Sequence, residues 1–308
     1  MEKLRIIIVL LRGGMVMDNR AMEKHTDLAI EVRESFPEDS VEIDGVCLEK
    51  HTLAGGELLV TRVIIKDQHG AEQMGKPIGD YFTLECQSLE AQETIQKEIY
   101  KILDCLLPVK DHLSVLVTGL GNRFATPDAL GPYVVEHIQV NRHLETDPAV
   151  MFSAVIPGVM AQTGIESGEI LGGIINTVKP DVLLVVDALA TSSVRRLCHT
   201  IQITDTGISP GAGIGNHRFP VNQETMGIPV IAIGVPTVVD ANTIVINTME
   251  EFLQKEGLAE QDIDTFLRDI SKQSIQDLFV TPKDIEMQIR EIGKLIAGGI
   301  DQFQSGME

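Results

Sequence analysis

The run Val182-Leu183-Leu184-Val185-Val186, followed at once by Asp187, constrains this chain more than any other stretch of its 308 residues. Five unbroken aliphatic residues are too few for a helix and fit a strand buried on both faces, as in a parallel sheet covered by helices. The surrounding pattern agrees. Leu113–Thr118, Val150–Ile156, Asp181–Asp187, Thr200–Thr204 and Ile228–Ile233 read as strands. Asp128–Val140, Glu166–Val178 and about 239–256, 260–272 and 282–303 read as helices. This alternation predicts an α/β fold with a mostly parallel central sheet and helices on both faces. Upstream, Val41–Val46, Leu58–Ile65 and Tyr81–Leu84 are separated by turns such as Ala54-Gly55-Gly56 and predict an N-terminal antiparallel β region. A helix over Leu89–Leu107 carries Ile95, Ile99, Ile102, Leu103 and Leu106 on one face.

A strand this apolar delivers Asp187 to the C-terminal edge of the sheet, where open α/β sheets hold their sites. A second acid leaves from the same edge, in Thr118-Gly119-Leu120-Gly121-Asn122 and then Thr126-Pro127-Asp128. The glycines are not a dinucleotide fingerprint, because Phe124 stands where the third Gly is needed and no Walker lysine follows. Thr126 as N-cap and Pro127 at N1 predict Asp128 in the first helical turn, where the dipole favours an ionised carboxylate. Taken singly, Asp128 is an ordinary helix-start acid and Asp187 an ordinary cap. Together they can divide roles, one ionised and activating water, the other protonated and donating to a carbonyl oxygen.

Asp205-Thr206-Gly207 matches the active-site triplet of pepsin-like peptidases, but those folds are all-β and this chain is not. Turn chemistry accounts for the triplet, and Asp205 is kept only as a contributor to the site. The Gly-rich segment Thr206–Gly227 reads as a long loop near the strand ends. His137 and His217 could face a site but read more readily as surface histidines, and no HExxH metal motif and no GxSxG elbow occurs.

Charge and cysteine content narrow the function classes. With 25 Lys+Arg against 45 Asp+Glu the net charge is −20, which repels a phosphate backbone, and no Trp is present for base stacking. No nucleic-acid partner is expected. Cys47, Cys86, Cys105 and Cys198 form neither a zinc nor a redox motif, so neither a metal nor another cofactor is expected and a reducing cytoplasm is the setting. Ile6–Leu11 is too short for a signal segment and no 18-residue apolar run occurs, so no membrane association is expected. Arg12-Gly13-Gly14 ahead of Met15, Met17 and Met22 suggests a translated ribosome-binding site and a native start at one of these methionines.

Several long strings, in order, resemble the germination protease family of spore-forming bacteria. They are His25-Thr26-Asp27-Leu28-Ala29-Ile30-Glu31, GLGNRFATPDALGP (119–132), AVIPGVMAQTGIES (154–167), VVDALATSS (185–193), TIQITDTGISPGAGIGN (200–216) and MGIPVIAIGVPTVVDA (226–241). The resemblance implies a three-layer α/β/α sandwich of phosphorylase/hydrolase type, related to hydrogenase-maturation peptidases. It implies an atypical aspartic endopeptidase that degrades small acid-soluble spore proteins during germination in the forespore and spore core. The family's catalytic aspartates fall on Asp128 and Asp187. It further implies a homotetrameric zymogen that removes its own propeptide, residues 1–27, at Asp27-Leu28, leaving 28–308 as one peptidase domain. Two other readings stay open: a peptidase of the hydrogenase-maturation type, and a non-catalytic spore-protein binder that retains the fold.

Overall fold

A computed structural model of the chain describes residues 26–36, 43–144, 148–211, 219–259, 262–263, 266–267 and 278–306. Among the described residues the strands form one nine-stranded sheet. In chain order the elements are α1 (Ala29–Glu34), β1 (Val46–Leu53), β2 (Leu58–Ile65), α2 (Gln68–Met74), β3 (Gly79–Cys86), α3 (Gln92–Leu106), β4 (Leu113–Gly119), α4 (Leu130–His137), β5 (Val150–Val155), α5 (Met160–Thr163) and α6 (Ser167–Val178). They continue with β6 (Val182–Thr191), β7 (Thr200–Thr204), α7 (Gln223–Met226), β8 (Val230–Asp240), α8 (Ala241–Lys255), β9 (Phe279–Val280) and α9 (Ile285–Ser305).

The sheet order is β1-β2-β3-β7-β8-β6-β4-β5, with β9 added to β8. The expected parallel core is β8-β6-β4-β5. The expected N-terminal antiparallel region is β1-β2-β3, and it is not a separate layer: β7 pairs antiparallel with both β3 and β8 and fuses the two halves.

Alternation along the central strands builds the layers, since successive side chains point to opposite faces. Val182, Leu184 and Val186 of β6, with Val115 and Val117 of β4, join one cluster with α3, α4 and α9. Leu183 and Val185, with Leu116, join a second cluster with Leu171 and Ile175 of α6 and Met226 of α7. Further along that second face, Leu189 joins a cluster with Leu28, which caps α1, with Ile30 of α1 and with Met74 of α2. Helices therefore cover both faces, as an α/β/α sandwich requires.

Several boundaries differ from the sequence expectations for local reasons. The strand expected at Val41–Val46 is β1, starting at Val46; residues 41 and 42 lie outside the described residues. The helix expected from Asp128 begins at Leu130, because Thr126-Pro127-Asp128 forms its own 3-10 turn and Ala129 (φ −94°, ψ 0°) breaks the helical path. β6 and β8 run past their expected ends to Thr191 and Asp240. Of the helix expected at 260–272, residues 262, 263, 266 and 267 are described and helical. Residues 1–25, with the candidate start methionines, lie outside the described residues. No helix among the described residues is long and apolar enough to cross a membrane.

Candidate active site

The chain leaves β4 toward β5 through α4, and leaves β6 in the other direction toward β7 and β8. The ends of β4 and β6 therefore flank the point where the connections diverge, where such sheets open a crevice. Gly119, the last residue of β4, pairs with Val186. Asp187 is the next residue of β6 and pairs on its other side with Gly234 of β8. By alternation its side chain shares the face of Val185 and Leu189, which belong to two different apolar clusters, so the acid stands in the gap between them. Asp187 is 5% exposed, and its Oδ1 accepts from the Ala188 amide at 2.9 Å.

Asp128 reaches the same place from the β4–α4 loop. The Leu120 amide still bonds to Val186 O at 2.8 Å, after which Gly121 turns with φ +105°. A Cβ on Gly121 would lie 2.1 Å from Asp128 O and 2.9 Å from its Oδ1, so only glycine lets the Asp128 turn fold back this closely. Asp128 Oδ2 accepts from the Asn122 amide at 2.8 Å. Asn122 is itself fixed, its Oδ1 accepting from Phe124 N at 3.0 Å and from Gln162 Nε2 at 2.8 Å. The expected helix-dipole placement is thus replaced by an amide of the preceding loop. Gly131, in the first turn of α4, packs on the backbone of Leu120 and Val186 and sets the height of this turn over the sheet.

Asp128 and Asp187 line one cavity of about 230 Å³, together with Gly121, Glu166, Phe219 and Asp27. Asp27 thus meets the two expected catalytic acids. Its amide donates to Ala190 O at 3.1 Å, its Oδ2 accepts from Ala190 N at 2.8 Å, and its carbonyl oxygen accepts from Lys76 Nζ at 3.0 Å and Gln202 Nε2 at 3.3 Å. Leu28, across the peptide bond, is fully buried, and its amide donates to Thr26 Oγ1 at 3.0 Å. Burial pushes the Lys76 ammonium below its ordinary pKa, while the Asp27 and Glu31 carboxylates pull it back up. Glu31 of α1 is held by Thr191, Ser192 and Arg196, and Arg196 also binds Glu34 through two 2.7 Å contacts, so the helix after Leu28 is stapled to the sheet.

Asp205 is not brought to this cavity. It sits in the turn after β7, exposed, with Oδ1 accepting from the Asp80 amide at 2.8 Å. His137 stacks on Tyr133 with ring centroids 4.0 Å apart and does not line the cavity, and His217 lies outside the described residues. No three His, Cys, Asp or Glu side chains converge as a metal donor set among the described residues. The sequence reading does not single out Lys76, Gln202 or Ala190. They carry no motif and meet Asp27 only because β3 pairs with β7 and β8 pairs with β6.

Residues 21–276 match the family described as Germination protease. The chain is 42% identical over 303 residues to a protein named Germination protease from Caldanaerobacter subterraneus subsp. tengcongensis, covering 90% of this chain and 92% of that one. The protein of the same name from Clostridium tetani is 39% identical over 308 residues, covering 91% and 95%. That from Bacillus cytotoxicus is 37% identical over 340 residues, covering 90% and 92%. A crystal structure of a NiFe hydrogenase maturation protease HycI from Thermococcus kodakarensis KOD1 aligns with 67% of this chain and 99% of that one. Its TM-score is 0.37 and its identity 18%.

Proposed function

Because this chain belongs to the germination protease family, and is therefore a protease, we propose that it is made as a zymogen, cuts itself at Asp27-Leu28, and then begins the degradation of small acid-soluble spore proteins. Residues 1–27 are the propeptide and 28–308 the peptidase domain, acting as a homotetramer in the forespore and spore core. The observation that carries this reading is that Asp27 lines the same cavity as Asp128 and Asp187. An acid at the proposed cut lies with the two acids proposed to cut it.

Asp128 and Asp187 work as an aspartic pair. Such a pair works with one member ionised and the other protonated, an arrangement two neighbouring carboxylates reach by sharing a single proton. The ionised member takes a proton from water while the protonated member donates a hydrogen bond to the carbonyl oxygen, and the pair then supplies a proton to the leaving amine. The loop amide at Asn122 and the backbone amide at Ala188 keep the two carboxyls oriented. Before cleavage residue 27 occupies the space a substrate acid must enter, so the uncut chain is inhibited by its own junction.

The test is mass spectrometry of the full chain and of its Asp128→Asn and Asp187→Asn variants after mild acidification, followed by mixing with a small acid-soluble spore protein. The expected result is loss of residues 1–27 and cleavage of the spore protein by the unsubstituted chain alone. Cleavage that survives in both variants overturns the aspartate mechanism. Tight binding of the spore protein without cleavage in any sample marks the binder instead.

A further inference from the structure

Lys76 and Gln202 arrive from different elements, one after the α2 turn and one from the centre of β7. Among the described residues, every side-chain hydrogen bond of the two goes to residues 26, 27 or 29. Gln202, only 6% exposed, spans the Asp27–Leu28 bond. Its Oε1 accepts from Ala29 N at 2.7 Å while its Nε2 donates to Asp27 O at 3.3 Å. Lys76 Nζ donates to the same oxygen at 3.0 Å. Buried polar groups are costly unless hydrogen-bonded, and both of these find their partners in the same short segment. Here the shared target is the carbonyl oxygen of the bond proposed to break.

We propose that Lys76 and Gln202 are the donor pair that stabilises the oxyanion formed on that carbonyl, first in self-cleavage at Asp27-Leu28 and afterwards on each protein substrate. This rests on the function proposed above and adds the electrophilic half of the reaction. Water oxygen bonds to the Asp27 carbonyl carbon as one water proton passes to the aspartate pair. The C=O π electrons move onto oxygen, where the Lys76 ammonium and the Gln202 amide hold the charge. On collapse the C–N bond breaks, its electron pair stays on Leu28 N, and that nitrogen takes a proton from the aspartate pair. The products are the Asp27 carboxyl group and the Leu28 amine. The Ala190 amide, bound to Asp27 Oδ2 at 2.8 Å, recognises the acidic side chain before the cut. A charged donor is suited to this place because charge-assisted hydrogen bonds are about twice as strong as neutral ones.

The experiment follows first-order loss of residues 1–27 by mass spectrometry in the full chain, comparing Lys76→Met, Lys76→Arg and Gln202→Met. Hydrogen exchange of residues 26–32 is measured in parallel with each substitution combined with Asp187→Asn, which keeps the bond intact. Removing one oxyanion donor typically slows catalysis by about 10²–10³-fold. Lys76→Met is expected to slow cleavage by that factor with the junction still protected, and Lys76→Arg to recover at least about a tenfold part of the loss. Cleavage by Lys76→Met within about threefold of the unsubstituted rate, or slowing that tracks loss of protection at residues 26–32, overturns the proposal. If Lys76→Met does not fold, Gln202→Met, whose side chain nearly matches glutamine in size, decides by the same criteria. The aspartate reading is judged separately: Asp128→Asn and Asp187→Asn chains that still cleave sink that reading while leaving the donor pair to its own rates.

Discussion

Gly131→Ala tests the height at which the Asp128 turn is held over the sheet. A Cβ on Gly131 would lie 2.3 Å from Leu120 O, 2.4 Å from Val186 O and 2.7 Å from Leu120 N, all of them backbone atoms. An ordinary carbon–oxygen contact is roughly 3.3 Å, so the start of α4 must back away by about 1 Å. Overpacking of this kind costs about 1–3 kcal/mol, and immovable backbone neighbours favour the upper end. Alanine returns about 0.5–1 kcal/mol of helix propensity, leaving a net loss near 2 kcal/mol. At about 2.1 cal/mol/K of unfolding entropy per residue, 1 kcal/mol is worth about 1.5 °C in a chain of 308 residues, so the melting midpoint should fall by roughly 3 °C. Denaturant titration should show a lower midpoint with an unchanged slope. The displacement carries Asp128 with it, and a misplacement of a catalytic group by about 1 Å can cost 10²-fold in rate, so on the function proposed above the cleavage at Asp27-Leu28 should slow by about that much. Gly173→Ala is the matched control, because that exposed site in α6 has nothing within 4 Å of a new Cβ and should gain about 0.5–1 kcal/mol. A Gly131→Ala chain as stable and as active as the unsubstituted protein would refute the close approach of α4 to the ends of β4 and β6.

Two further outcomes follow from burial and charge. Burial pushes the Cys86 and Cys198 thiols up to about 12, whereas Cys105 is exposed, so a thiol reagent at pH 8 should modify Cys105 in the native protein and reach Cys86 and Cys198 only on unfolding; fast native labelling of either would contradict the packing around them. Burial raises the Asp181 carboxyl, but the 2.5 Å contact to Lys110 Nζ and the 2.9 Å bond from Ser114 N outweigh it and hold the pKa below its usual value. A depressed acid stabilises the fold above its unfolded pKa of about 3.9 and loses that contribution as pH falls through the folded value. Asp181→Asn should therefore cost up to about 1 kcal/mol at pH 7, the pair being partly exposed, and progressively less as pH falls below about 3.9; a difference that stays constant with pH would refute the assignment.

The parallel half of the fold is legible because its strands are hidden on both faces. Val182–Val186 could be read without knowing its neighbours, and Asp187 stood out as the polar residue that ends such a run. Asp128 was legible as an acid leaving the same edge, though not the way it is held. The non-helical Ala129 separates it from α4, and its Asn122 contact depends on Gly121 folding back. Asp205 shows the opposite case, a residue with a familiar triplet around it and a local task, receiving the Asp80 amide. Lys76 and Gln202 were not legible at all. The first follows a short helix and the second lies in a strand between Ile201 and Ile203, and nothing local marks either as facing Asp27. Their meeting is a product of strand order, which no single stretch of sequence encodes.

That strand order also governs how the chain assembles as it is synthesised. β1, β2 and β3 pair with their sequence neighbours and can zip locally, but the outer edge of β3 has no partner until β7 has been made. From Cys86 to Thr204 the ribosome must add about 120 residues, roughly 6–24 s at 5–20 residues per second. Through that interval Tyr81, Phe82 and Leu84 sit on an open edge of the kind that templates pairing between chains. Slower elongation across residues 87–204 lengthens this exposure, so the yield of folded protein should depend on translation speed through this interval.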